Sequence, residues 1–294
     1  MITRREFAAA AAGAIAASAA PKYQPRFAGQ TYVWSQHFAR LKQPLEAHRD
    51  EVLSAFHNAG YTEMELFTPF VAPEVAAGTY ELLDKYKLRA PIVYFGGAMH
   101  TKEDADSTVT KALEFVERIQ NPLRLQALNF NANPKPRSER KTDAELDIQA
   151  RAIERLGAEL AKRKVRLFLH QHAPEMAENA REWRHVLRNT DKRRVEICLD
   201  VHWIFRGGQD VMTLLEEAAP RLGSMHLRNS RNKIWTEELA DGDVDYRAVA
   251  RYLKQVGFRG WLIPELAWDN ETQITRPLEE NLRRSLEYTK SVFA

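Results

Sequence analysis

The chain has 294 residues, of which 44% are hydrophobic and 28% charged, and this composition excludes disordered and fibrous proteins. It holds 43 Lys and Arg against 40 Asp and Glu, a net charge of +3 without a long basic block, so no nucleic acid partner is expected. The single cysteine, Cys198, excludes an internal disulfide bond, and its place in the apolar run 195–199 predicts a small core residue rather than a reactive thiol.

The N-terminal segment has the pattern of an export signal. Residues 1–7 read M-I-T-R-R-E-F, and residues 8–20 are all Ala except Gly13, Ile15 and Ser18. Paired Arg, a weakly apolar stretch and an A-x-A site at 17–19 are typical of a twin-arginine signal peptide. We expect a signal peptide at 1–19, a linker at 20–30 and a periplasmic or otherwise exported protein, with no stable membrane insertion after processing. The alternative is a frayed Ala-rich helix.

Short β-rich runs then recur about every 30 residues, and amphipathic segments separate them. The predicted strands are 31–35, 63–67, 91–95, 124–130, 165–170, 195–200, 224–228 and 261–265. The predicted helical segments include 45–58, 104–119, 143–163, 177–187, 210–218, 245–256 and 277–292. Eight β-then-α units without a linker predict a single α/β domain at 31–294, a (β/α)8 TIM barrel, with a doubly wound sheet as the alternative.

Polar side chains interrupt the apolar strands at their C-terminal ends, where the active sites of such barrels lie. Four of them on strands five to eight are of metal-ligand type: His170, Asp200, His226 and Glu265. Adjacent parallel strands place their ends about 5 Å apart, so these side chains converge if they point inward. Two imidazoles and two carboxylates suit one divalent ion, Mn, Co, Zn or Mg, with Mn favoured. The alternative for each residue is a strand-end polar group bonded to a neighbouring loop.

Several motifs carry a family resemblance. The stretches C-L-D-V-H-W (198–203), M-H-L-R-N (225–229), D-G-D-V-D-Y (241–246) and G-W-L-I-P-E-L (260–266) together resemble the sugar phosphate isomerase/epimerase superfamily, which has the xylose-isomerase-like TIM barrel. The resemblance covers about residues 28–290. It implies Glu, Asp, His and Glu as metal ligands on strands five to eight, and Asp200, His226 and Glu265 match the last three.

Strand five departs from this pattern, because His170-Gln171-His172 stands where the common form has Glu followed two residues later by His. This resembles an H-x-H branch that includes inosose-dehydratase-like proteins and enzymes that cleave 3-keto-glycosides. The resemblance implies that Glu265, or a histidine near His170, acts as the catalytic base. The endonucleases of the superfamily need a His at the place of Trp203, so DNA cleavage is not expected.

Other polar and aromatic residues at the same end of the predicted barrel are candidates for substrate binding. Tryptophan rings stack on sugar faces while polar neighbours bond the hydroxyls, and Trp235 lies in a loop, 229–242, that is polar enough to be a lid. The candidate set is Glu65, His172, His202, Trp235, Asn129 and His37. For each of them, core packing or a structural hydrogen bond is the alternative.

These residues predict a metal-dependent sugar isomerase/epimerase-like enzyme with a small carbohydrate as its partner. Glu265 and His170 are the catalytic candidates: a proton is removed next to a carbonyl, and a metal-stabilised enediolate results. One alternative is a lyase or dehydratase that expels a β-oxygen from a keto-glycoside or keto-polyol. The others are a non-catalytic sugar-binding barrel and metal-assisted hydrolysis.

Overall fold

The structure, a computed structural model, describes residues 22–294. The predicted signal peptide at 1–19 lies outside the described residues. Strand β1 comprises Arg26–Phe27 and Gly29–Gln30, and the other barrel strands are β2 (Glu63–Leu66), β3 (Arg89–Gly97), β4 (Ala127–Ala132), β5 (Arg166–Leu169), β6 (Glu196–Asp200), β7 (Leu222–Leu227) and β8 (Trp261–Pro264).

Within residues 22–294, ten α-helices cover or cap these strands. They are α1 (Tyr32–Leu41), α2 (Arg49–Asn58), α3 (Ala76–Lys85), α4 (Lys102–Leu123), α5 (Asp143–Lys162), α6 (Ala177–Asn189), α7 (Val201–Arg206), α8 (Val211–Ala218), α9 (Tyr246–Val256) and α10 (Leu278–Phe293). None of these helices, all within residues 22–294, is long and apolar enough to cross a membrane.

All neighbouring barrel strands pair in parallel, from β1 through to β8. The barrel closes through β1, because its first half pairs with β8 (Arg26 opposite Trp261) and its second half with β2 (Gln30 opposite Glu65). The predicted (β/α)8 barrel is therefore confirmed. A small antiparallel hairpin, Ser230–Arg231 with Ile234–Trp235, stands after β7.

The predicted first strand at 31–35 is wrong, because these residues begin helix α1 and the strand lies earlier, in the segment expected to be a linker. The apolar residues Val33, Trp34 and Phe38 are buried on one face at helical spacing. The true strand is hard to recognise because it contains Gly29, a poor strand former. The packing requires glycine there, since a Cβ would lie 2.5 Å from a ring atom of Phe56.

The hydrophobic core has two parts. The larger part packs the outer faces of the strands against the helices. The smaller part fills the inside of the barrel and contains Ala28, Ile92, Ala127, Phe168, Cys198, Trp261 and Ile263. Cys198 is thus a buried core residue, and burial raises the pKa of its thiol, which disfavours the reactive thiolate.

Candidate metal centre and active site

Four side chains meet inside the barrel at the C-terminal ends of strands β5 to β8. His170 follows β5, Asp200 ends β6, His226 lies in β7 and Glu265 follows β8. The strand register brings them together, since Asp200 lies opposite His226. One donor atom from each residue lies within 4.8 Å of the donor atoms of the other three, and all four residues are buried. This cluster, called the ligand cluster below, could hold a metal ion.

The two nitrogens of His226 have different partners. Nε2 lies 3.0 Å from Glu65 Oε2, whereas Nδ1 lies 2.8 Å from Glu265 Oε2 without the alignment of a hydrogen bond. Neighbouring ligands of one ion are about 3 Å apart when the bonds to the ion are about 2.1 Å. A carboxylate on the far nitrogen of a ligating histidine orients the ring and raises its basicity. His226 therefore has the geometry of a histidine that ligates through Nδ1.

Charge and burial act in opposite directions on His226 and Glu265. Burial lowers the pKa of His226, but the neighbouring Cys198, Glu65 and Glu265 outweigh this effect and raise the pKa well above its usual value. Burial raises the pKa of Glu265, but Arg228 and His226 outweigh it and lower the pKa to about 2. Without an ion, Glu265 is therefore ionised and His226 is protonated at neutral pH. A metal that binds His226 through Nδ1 would have to displace a proton from the ring.

His170 and His172 form the strand β5 side of the site. His170 is buried and its Nδ1 has no hydrogen-bond partner, and burial lowers its pKa well below the usual value, so the ring is neutral and able to ligate. The His172 ring lies 4.7 Å from the His170 ring, measured between centroids. Burial also lowers the pKa of His172, to about 4. The unpartnered buried nitrogens of His170 and His226 fit a site built around a metal ion.

Asp200 is oriented by the start of helix α7. Its Oδ1 accepts hydrogen bonds from the backbone N–H groups of His202 at 3.0 Å and Trp203 at 2.9 Å. This is an N-cap interaction, which satisfies donors that the helix leaves free. The same bonds turn Oδ2 toward the interior of the ligand cluster. The sequence thus places a ligand and a helix start in one residue.

The sequence pattern of the family described as "Xylose isomerase-like TIM barrel" matches residues 53–292. The chain belongs to this family. An inosose dehydratase of Mesomycoplasma hyopneumoniae (strain J) is 21% identical over 271 residues, which cover 83% of this chain and 89% of that protein. An inosose dehydratase of Geobacillus thermodenitrificans is 23% identical over 160 residues, 48% of this chain and 53% of that protein, so here the chain spans about half the length of its relative.

Solved structures share the fold of this xylose isomerase-like barrel. The D-allulose 3-epimerase from Methylomonas sp., in complex with D-allulose, has a TM-score of 0.71 at 18% identity, over 93% of this chain and 99% of that one. Identity at this level shows the common fold alone. The proteins similar to this chain thus include inosose dehydratases and a D-allulose 3-epimerase.

Two of the residues predicted to bind substrate lie beneath the ligand cluster in this barrel. Asn129 Nδ2 donates to both carboxylate oxygens of Glu65 at 3.1 Å, and it lies 3.2 Å from His226 Nε2. Both residues are buried. Glu65 and Asn129 thus support His226.

His202 and Trp235 are joined to each other. Trp235 Nε1 donates to His202 Nδ1 at 3.1 Å, so the other ring nitrogen of a neutral His202 carries the proton and donates to Ser230 Oγ at 2.8 Å. Ser230 in turn donates to Asp243 at 2.7 Å. Both nitrogens of His202 are engaged with protein groups, so His202 holds Trp235 in place. Trp235 itself is buried over the site.

His37 lies away from the ligand cluster, on helix α1 among aromatic rings. Its ring centroid is 5.6 Å from that of Trp34 and 6.1 Å from that of Trp268. His37 was expected to follow a strand at 31–35, but it lies within helix α1.

Sequence reasoning missed Arg228. Its side chain is only 4% exposed, and Nη2 donates to Asp200 Oδ2 at 2.6 Å and to Glu265 Oε2. The signal was present in M-H-L-R-N, because residues two apart on a strand share a face and Arg228 therefore follows His226 inward. Cys198 was assigned to the core, yet its Sγ also lies within 4.8 Å of the donor atoms of His170 and His226.

Proposed function

We propose that this chain is a metal-dependent enzyme that removes a proton next to the carbonyl of a sugar or keto-sugar. The observation that carries the proposal is the ligand cluster, in which two imidazoles and two carboxylates converge in the buried mouth of the barrel. The sugar-modifying relatives support the substrate class. Mn²⁺ is the proposed ion because the carboxylates of Asp200 and Glu265 supply the hard oxygen donors that Mn²⁺ prefers, and the two imidazoles complete the set.

The residues that would hold the ion are His170, Asp200, His226 and Glu265. When bound, a divalent ion acts as a Lewis acid that polarises a carbonyl and so acidifies the neighbouring C–H bond. We propose two candidates for the base that takes the proton, one in the cluster and one beside it. Glu265 is one of them, although one of its oxygens is engaged by Arg228 and His226. His172, half-buried beside His170, is the other. His170, also a catalytic candidate from the sequence, would act as a ligand.

The walls of the site suit a polyol. The Trp203 and Trp235 rings lie 5.3 Å apart at 75°, and the Trp203 ring lies 5.5 Å from His172. Indole faces pack on the C–H surfaces of sugars, and Trp203 Nε1 is a buried donor without a protein partner. The enzyme would therefore bind the sugar between aromatic walls and the metal ligands.

Proton abstraction is shared by isomerisation or epimerisation, the first candidate reaction, and by β-elimination, the second. Two observations favour elimination. His170 stands where the common epimerase pattern has a second glutamate, and the curated relatives that cover most of the chain are dehydratases. We therefore propose one common first step, after which these two observations favour elimination over isomerisation or epimerisation.

Solvent deuterium exchange tests this first step. Wild-type protein loaded with Mn²⁺ is incubated with keto-sugars and a keto-inositol in deuterated water, and exchange next to the carbonyl is followed by mass spectrometry. Deuterium exchange in a sugar that loses no other atoms indicates isomerisation or epimerisation. Loss of water or of a glycosidic group indicates elimination. Binding without exchange would support the non-catalytic barrel. Turnover of substrates without an acidic C–H would support hydrolysis.

Two variants identify the base. Glu265→Gln keeps the size and one oxygen donor of the residue, and His172→Gln keeps a polar side chain outside the ligand cluster. The variant that retains Mn²⁺ but loses exchange has lost the base. If both metal-loaded variants exchange at the wild-type rate, neither residue is the base.

We also propose that the protein is exported by the twin-arginine route and acts in the periplasm. The support is the R-R pair at 4–5 followed by the alanine-rich segment. In the variant Arg4→Lys with Arg5→Lys, the protein should stay in the cytoplasm with its leader attached, as cell fractionation and mass spectrometry would show. Normal processing of this double variant would contradict the proposal.

A further inference from the structure

Arg228 joins the two carboxylates of the ligand cluster through a single nitrogen. Nη2 donates to Asp200 Oδ2 at 2.6 Å and also to Glu265 Oε2. Asp200 Oδ1 is taken by two backbone N–H groups, so Oδ2 is the oxygen left for an ion, and it is the oxygen that Arg228 occupies. The guanidinium and a bound ion therefore interact with the same two groups.

The protein holds this guanidinium in place from several sides. The hydroxyl of Tyr246 donates to the backbone carbonyl of Arg228 at 2.6 Å and accepts from its N–H at 3.1 Å. The guanidinium carbon lies 5.3 Å from the Trp203 ring centroid and 5.1 Å from that of Trp235, within cation–π range. Trp235 is itself fixed by His202. Arg228 is thus built into the site.

The charges explain why a cation is needed at this place. Three buried carboxylates, Asp200, Glu265 and Glu65, lie in this end of the barrel. His226 pairs with Glu65 and Glu265, whereas Asp200 pairs with Arg228. Like charges in a buried site repel, and a buried charge without a partner strongly destabilises the folded protein. An arginine remains protonated in such surroundings, so it is a permanent positive charge. Arg228 is therefore suited to neutralise the carboxylates while the chain folds.

We propose that Arg228 is a resident counter-cation of the ligand cluster, which keeps Asp200 and Glu265 in place as the barrel folds and with which a metal ion then competes. The inference rests on the proposed function, because it takes the ligand cluster to be a metal site. Removing this positive charge should have two opposite effects. The affinity for the metal should increase, and the stability of the metal-free protein should decrease. Removing a residue that only contacts substrate would have neither effect.

The experiment compares Arg228→Met, which removes the charge and keeps much of the volume, with Arg228→Lys, which keeps the charge. Arg206→Met is the matched control. Arg206 also forms an ion pair, with Asp269 at 2.8 Å, and its guanidinium carbon lies 4.3 Å from the Trp235 ring centroid. It pairs with no residue of the ligand cluster. Melting temperature is measured with EDTA and with saturating Mn²⁺. Mn²⁺ affinity is measured by calorimetry, and no substrate is required.

In EDTA the melting temperature of Arg228→Met should fall by about 10 °C, the effect expected of breaking a buried ion pair in a domain of this size. Saturating Mn²⁺ should recover at least about half of this loss. The Mn²⁺ dissociation constant should decrease by at least about tenfold, because the repulsion between a guanidinium and a divalent ion a few ångströms apart is removed. Arg228→Lys and Arg206→Met should bind Mn²⁺ about as tightly as the wild type.

Equal or weaker Mn²⁺ binding by Arg228→Met overturns the proposal, and so does an equal loss of melting temperature with and without Mn²⁺. A Met variant recovered in folded form only when Mn²⁺ is present supports it. If the wild type binds Mn²⁺ and the Met variant shows no gain, this inference alone fails. If neither the wild type nor the Met variant binds Mn²⁺, the metal site of the proposed function fails as well.

Discussion

Glu63 and Glu65 lie two residues apart on strand β2, and both enter the barrel, but at opposite ends. At the N-terminal end, Glu63 accepts from Arg26 Nη2 at 2.6 Å and from Trp261 Nε1 at 2.9 Å, and Arg89 lies 2.7 Å away. At the C-terminal end, Glu65 accepts from Asn129 and from one nitrogen of His226. The first carboxylate is surrounded by permanent donors, whereas the second bonds a histidine whose other nitrogen has no aligned partner.

The difference separates a structural end of the barrel from the end that carries the candidate site. The Glu63 network joins β1, β2, β3 and β8 and leaves neither of its carboxylate oxygens free. At the other end, His170 Nδ1, His226 Nδ1 and Arg228 Nε are buried without a hydrogen-bond partner. Buried polar atoms are rarely left unpaired without a reason. The Glu63 carboxylate has partners for both oxygens, whereas the Glu65 end contains buried atoms without a hydrogen-bond partner. A bound ligand is therefore expected at the Glu65 end.

The largest effect should come from removing a ligand at the functional end. Asp200→Ala or His226→Ala should weaken Mn²⁺ binding by about 1,000-fold, because the ion would lose one of its four direct ligands. This effect exceeds the roughly tenfold to hundredfold loss expected when a residue that only contacts a ligand is changed. Metal content after gel filtration, measured by mass spectrometry, checks this. Cys198→Ala is the control and should keep its metal. Full occupancy in the Asp200 or His226 variant, or metal loss in the Cys198 variant, would show that the ligands are assigned wrongly.

The next effect concerns Glu175, a buried acid near the C-terminal end of the barrel, and the pH dependence of the free energy of unfolding. Glu175 accepts from the His172 backbone N–H at 3.0 Å, and burial, followed by the nearby Glu182, raises its pKa from 4.5 to about 7. The folded protein therefore holds this proton up to about pH 7, while the unfolded chain releases it near pH 4.5. The contribution of Glu175 to stability is complete below pH 4.5 and is lost as the pH rises to 7.

Glu175→Gln should remove this pH dependence. The free energy of unfolding of the variant, relative to the wild type, should increase by about 3 kcal/mol between pH 4.5 and 7, since one pKa unit corresponds to about 1.4 kcal/mol. Urea unfolding at a series of pH values measures the difference. A difference that stays constant over this range would show that Glu175 titrates normally in the folded protein.

A smaller effect on the metal should come from Glu65, which touches His226 but not the ion. Glu65→Gln keeps a hydrogen-bond acceptor for His226 Nε2 and removes the charge, so Mn²⁺ affinity should fall by about 10 to 100-fold. Calorimetric titration against the wild type is the measurement. Affinity equal to the wild type would mean that Glu65 does not tune the histidine.

The smallest effect on the metal should come from the matched change at the other end. Glu63→Gln should leave Mn²⁺ affinity unchanged and should lower the free energy of unfolding by about 2 kcal/mol, the usual value for hydrogen bonds to a charged group. Both quantities can be measured on one preparation, by calorimetry and by urea unfolding. A loss of metal binding comparable to that of Glu65→Gln would abolish the distinction between the two ends.

The comparison also shows how far the sequence could be interpreted. Seven of the eight strands were recognisable from apolar runs. The residues at the C-terminal ends of β5 to β8 indicated the candidate ligands His170, Asp200, His226 and Glu265. This works because parallel strands in a barrel share one direction, so their last residues meet wherever the strands are correctly placed. The first strand was missed because Gly29 lacks the side chain on which strand recognition depends, and the helix after it was taken for the strand.

The partners of each polar residue were not available from the chain alone. The stretch E-M-E at 63–65 shows two similar acids, and only the packing of β1, β4, β7 and β8 around them makes one structural and the other a support for His226. Arg228 is likewise one basic residue among 43 until the fold brings it between Asp200 and Glu265.

The barrel and the strand ends that carry its candidate ligands could be predicted from the sequence, since both follow from local periodicity and from the common direction of parallel strands. The folded chain was needed to show which nitrogen of His226 lacks an aligned partner, which residues hold Trp235 and where the charge of Arg228 acts. Those properties depend on contacts between residues as far as 161 positions apart, and such contacts have no local pattern in the chain.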